Sequence, residues 1–94
     1  MSLTERYDFE VLTNEAERLV LDELERRLDK IDDPRLHKED NVIDMAAFAL
    51  NLVRPMYRAN LLGRLYADAL DAQTKEEIQD AVDKAIERIG RNPS

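Results

Sequence analysis

The residues best suited to chemistry sit in one stretch that carries no acid. Between Asp44 and Asp68 there is neither Asp nor Glu, while Arg54, Arg58 and Arg64 contribute +3. In a chain of net charge −7 the remainder therefore carries −10. Part of this gap follows from an apolar helix, because a buried segment excludes charge of either sign. The second half, RPMYRANLLGR, is the one place in an acidic protein where an anion would be drawn. Guanidinium groups grip phosphate oxygens in pairs, and the ring of Tyr57 can stack on a base. Asp44 and Asn51 join these candidates. They stand seven positions apart, which on a helix puts them on one side, about 20° out of line, with the line leading on toward Arg54 and Arg58. The plain account is that Asp44 caps its own helix and Asn51 bonds nearby backbone. The sharper one is that this polar seam lines a ligand site.

Other chemistries lack their residues. With no cysteine there is no disulfide, thiolate metal site or thiol nucleophile. The only serines, Ser2 and Ser94, sit at the two ends, and the two glycines, Gly63 and Gly90, lie 27 positions apart, so no glycine-rich phosphate loop exists. The lone histidine, His37, is expected as an exposed loop residue, since a stable metal site needs three or four converging ligands. The acids repeat along helix faces without converging, whereas a general acid–base pair needs a pocket that shifts pKa values. The chain is expected to be neither an enzyme nor a zinc protein.

The elements that position the candidates are helical. From Val42 to Val53 ten of twelve residues are apolar, with Asn41 as expected N-cap, Asp44 as its capping-box partner, and Pro55 ending the run. The whole stretch Asn41 to Tyr57 reads as a central apolar helix that must be covered on nearly every side, yet is too short to cross a membrane. A first amphipathic helix is expected from about Glu15 to Lys30, capped by Asn14, with Ala16, Leu19, Val20, Leu24, Leu28 and Ile31 forming its apolar stripe. Asp33 to Asp40 reads as a polar loop. Tyr57 to Ala72 reads as an extended turn followed by a helix from about Leu61, interrupted at Gly63. The last helix has a capping box from Thr74 to Glu77 and a stop at Gly90, burying Ile78, Ala81, Val82, Ala85, Ile86 and Ile89. In residues 1–12, a short alternation around Tyr7, Phe9 and Val11 suggests an arm tucking Tyr7 and Phe9 onto the core.

With 94 residues, 44% hydrophobic and 37% charged, the chain fits a single all-α domain, a small bundle of amphipathic helices around the central one. Two amphipathic helices cover two sides of that core helix; the remaining side needs either the 57–72 segment or a second copy, and a homodimer is expected. The acidic balance argues against nucleic-acid polymers and anionic membranes. No secretory h-region is visible in MSLTERYDFEV, and the expected compartment is the cytosol.

The pattern Asn14-x-x-Glu17-x-x-Val20, then Asp44-Met-Ala-Ala-Phe-Ala-Leu-Asn51, Pro55-x-Tyr57, Gly63, Ala85-Ile86 and Pro93 resembles the late competence development protein ComFB family. The resemblance covers nearly the whole chain, and its central block is the specific part. It implies a small helical homodimer. Cyanobacterial members serve as receptors for cyclic di-GMP, linked there to competence and pili. Many members carry cysteines before the central block and some bind zinc; here Leu36 to Asp40 offers no cysteine, and Arg54 stands where members commonly have the first of two prolines. The resemblance thus implies a non-enzymatic nucleotide-sensing module relaying to an unidentified protein partner. Arg54, Tyr57, Arg58, Arg64, Asp44 and Asn51 are the candidate contacts, and the alternative is a dimeric adaptor with no nucleotide ligand.

Overall fold

Asn14 determines where the first long helix begins. In the computed structural model, which describes residues 1–59 and 72–94, its side-chain oxygen accepts the Ala16 N–H at 3.1 Å. That bond satisfies one of the donors every helix start leaves unpaired. The helix α2 (Glu15–Leu28) follows it. Ahead of it come a four-residue helix α1 (Leu3–Arg6), a 3₁₀ turn (Phe9–Val11) and the strand β1 (Thr13–Asn14). A second 3₁₀ turn (Pro34–His37) leads into α3 (Glu39–Leu52), and the strand β2 (Tyr57–Arg58) comes after it; α4 (Ala72–Arg91) closes the chain. The protein is thus mostly helical, with one small antiparallel sheet pairing Thr13 with Arg58 and Asn14 with Tyr57.

The three long helices share one core. Val20 and Leu24 of α2, Met45 and Ala49 of α3, and Val82 and Ala85 of α4 belong to a single buried cluster. The stripes expected on α2 and α4 are the buried ones, with Ile31, Ile86 and Ile89 packed at the margin. Each fully buried Leu or Val contributes about 1.5–3 kcal/mol. On α3, Asn41, Met45 and Ala49 are buried and Val42, Ala46, Phe48 and Leu50 pack half-buried against the core, whereas Ile43 is 57% and Leu52 50% exposed.

Four local expectations require correction. Asn41 is not an N-cap: α3 starts at Glu39 after Lys38, which makes no side-chain cap bond. The acids Glu39 and Asp40 suit the positive end of the helix dipole, so they occupy its first turn and Asn41 falls inside. Gly90 does not stop α4, which runs to Arg91; no described residue has positive φ, and a Cβ added at Gly90 would meet the Leu36 side chain at 3.9 Å, an ordinary contact. Thr74 likewise lies in the first turn of α4 and not before it. The N-terminal arm leaves Tyr7 and Phe9 exposed. Asp8 accepts the Glu10 N–H at 2.9 Å, which turns the backbone in the middle of the apparent alternation.

The loop expected at Asp33 to Asp40 is partly ordered by Asp33, which accepts the Arg35 N–H at 3.0 Å and turns the chain so that Leu36 is buried. His37 is exposed there, with its Nε2 2.7 Å from the Ile31 carbonyl oxygen. The extended start expected at Tyr57 is β2. The helix expected from Leu61, with Gly63 and Arg64, lies outside the described residues.

Candidate ligand-binding site

Three of the six site candidates, Arg54, Tyr57 and Arg58, lie on a strap, residues 53–59, that leaves the end of α3 and returns to α2. Asn14 secures it. The same carboxamide oxygen that caps α2 accepts the Met56 N–H at 2.8 Å, and Glu15 N–H donates to the Met56 carbonyl at 2.8 Å. One side chain thereby fixes both the helix start and the path of the strap.

Along the strap the candidates open in different directions. Arg54 points to α4, where Nη2 lies 3.0 Å from Glu77 Oε1, beside a 220 Å³ groove that Thr74 and Ile78 also line. Tyr57 is 57% exposed and lines a 680 Å³ groove against α2, with Leu12, Glu17, Arg18 and Asp22 among the other walls. Arg58 is the next residue of β2, and successive strand side chains point to opposite faces. Its backbone carbonyl accepts from Thr13 Oγ1 at 3.5 Å, and its guanidinium donates to the Tyr57 carbonyl at 2.8 Å. Asp44 and Asn51 are exposed on α3, and seven residues of helix separate them by about 10 Å. Neither takes the plain structural role, since Asp44 caps no helix and neither side chain has a hydrogen bond among the described residues. Arg64 lies outside the described residues.

Electrostatics divides these two grooves. The large one carries Glu15, Glu17 and Asp22 against the single cation Arg18, which reaches Glu15 at 3.0 Å and Asp22 at 3.6 Å. It repels phosphate and offers the ring of Tyr57 for stacking. The groove beside Arg54 sets one cation, Arg54, against one acid, Glu77. The pair with Glu77 is largely solvent-exposed and worth about 0–1 kcal/mol.

Two functional asparagines and a basic stripe escaped the sequence reading. Asn14 was legible as a cap but not as the anchor of the strap, because its second partner is 42 positions away. Asn41 is wholly buried; its amide donates to Arg35 O at 2.7 Å and Ser94 O at 3.4 Å, and its oxygen accepts Ser94 N–H at 2.9 Å. The stripe is Lys84, Arg88 and Arg91 on α4. No cluster of three or more metal-ligating side chains occurs among the described residues, and none of the helices there is long and apolar enough to cross a membrane.

Residues 13–93 match the profile of the family described as late competence development protein ComFB. No curated protein and no solved structure matches the chain. The chain belongs to the ComFB family.

Proposed function

We propose that this ComFB-family chain is a non-enzymatic sensor that takes up an anionic cyclic dinucleotide, such as cyclic di-GMP, and relays its presence to a protein partner. One observation carries the proposal: the strap presents Arg54 and an exposed Tyr57 within four residues, on a backbone fixed by Asn14. Guanidinium groups would take the phosphates and the phenol ring a base. Asp44 and Asn51 would contribute polar contacts from the exposed side of α3. Because Arg54, Tyr57 and Arg58 open in different directions within one chain, a dinucleotide would engage them most fully in a homodimer, where a second strap supplies what the first turns away. The exposed side of α3 supports such a dimer, for Ile43 stands in solvent.

A second reading, a dimeric helical adaptor with no nucleotide, draws support from the same apolar face and from the Arg54–Glu77 pair. Thermal melting separates the two. A ligand at 100 times its dissociation constant adds about 2.7 kcal/mol of stability. An upward shift with cyclic di-GMP, absent with mononucleotides, is the expected result; no shift with any cyclic dinucleotide favours the adaptor.

A further inference from the structure

A second basic site lies on the side of the molecule formed by α3 and the C-terminal half of α4. Lys84, Arg88 and Arg91 follow one another at i, i+4 and i+7 and so form a single stripe. With Phe48 and Leu52 of α3 and with Glu87 they enclose a groove of 220 Å³. Its walls carry +2 in a chain of −7. Glu87 is taken by Arg91, while Lys84 and Arg88 form no ion pair among the described residues. Phe48 is half-buried and Leu52 is 50% exposed, so the floor is apolar and open.

We propose that this groove docks an acidic, amphipathic helix of another protein. One or two apolar side chains fit the groove. The two antiparallel walls, one apolar and one basic, match a helix laid in a groove with apolar anchors every three or four residues and carboxylates along one flank. Helix-dipole compensation explains cations only in the last turn, and Lys84 is two turns before Arg91. A second copy is a poor occupant, because a two-fold contact across this groove would set Lys84 and Arg88 against their own counterparts. The inference stands on α3 and α4 alone and does not require that the chain bind a nucleotide.

The test uses the full chain and two labelled synthetic peptides, one with leucines at helical spacing and glutamates elsewhere, the other with lysines in place of the glutamates. Fluorescence anisotropy is expected to show the glutamate peptide binding at least about tenfold more tightly, with affinity falling as salt rises. K84E combined with R88E is expected to abolish that preference, and Leu52→Ala to weaken both peptides. Should the charge reversal unfold the chain, the neutral pair K84Q and R88Q replaces it. Equal binding of both peptides, no binding at millimolar concentration, or unchanged binding by a folded charge-altered variant overturns the proposal. So does a loss of self-association in that variant by light scattering, which would assign the groove to a second copy. Repeating the titration with cyclic di-GMP present separates this proposal from the nucleotide reading, since peptide binding is expected either way.

Discussion

Asn41→Ala is the substitution whose cost the structure defines most closely. The side chain is fully buried at the start of α3, yet every one of its partners is backbone: Arg35 O at 2.7 Å, Ser94 N–H at 2.9 Å and, more weakly, Ser94 O at 3.4 Å. Alanine removes the amide and leaves these three backbone groups without their side-chain partner. A buried polar group stripped of its bond costs about 1–3 kcal/mol. With two strong bonds lost and one long one, the loss is about 2–4 kcal/mol, a large part of the roughly 5–15 kcal/mol that holds a domain together. At about 4–8 °C per kcal/mol for a chain of this size, the melting midpoint falls by roughly 8–32 °C. Urea unfolding followed by circular dichroism measures it, with a lower midpoint at unchanged slope. Removing residues 92–94 should give part of the same loss, and the two changes together should be far from additive because they share one interaction. A loss below about 0.5 kcal/mol for Asn41→Ala, or full additivity with the truncation, would refute the pinning role.

Asn14→Ala removes the α2 cap and the Met56 anchor together, and a cap alone is worth about 0.5–2 kcal/mol; hydrogen exchange at Met56 should accelerate as α2 destabilises, and exchange unchanged at Met56 would remove the anchor from the account. Leu24→Ala, at a site 2% exposed in the three-helix core, should cost about 2–5 kcal/mol by urea unfolding. The Asp33 carboxyl is held below its ordinary range by its side-chain hydrogen bonds to Arg35, then by the Arg35 backbone N–H. A depressed folded pKa contributes stability above the unfolded value, lost as pH falls through the folded one. Carboxyl NMR should therefore place the Asp33 midpoint below that of an unfolded peptide, and Arg35→Ala should move it upward.

The helices were legible because their periodicity is local. The stripe from Ala16 to Leu28 and that from Ile78 to Ala85 needed only spacing, and each is buried as spaced. Boundaries were less legible where one residue has two uses. Asn41 carries the residue type of an N-cap, and nothing within its own turn says that its partner is Ser94, 53 positions on. Gly90 carries the type of a helix stop, but α4 runs on through it to Arg91. At the candidate site, sequence placed Arg54, Tyr57 and Arg58 on one segment, and the strap does hold them together. It could not show that strand alternation and the Asn14 anchor turn them apart, since that depends on which strand β2 pairs with.

Calorimetric titration with cyclic di-GMP, run on the wild type and on Arg54→Ala, Arg58→Ala and Arg64→Ala, tests the sensing role most directly. Each lost charged hydrogen bond, at about 1.5–3 kcal/mol, should weaken binding by roughly ten- to a hundredfold. Saturable binding by the wild type with such losses in the variants is the predicted result. A wild type that binds no cyclic dinucleotide, or arginine variants that stay folded and bind unchanged, would contradict it.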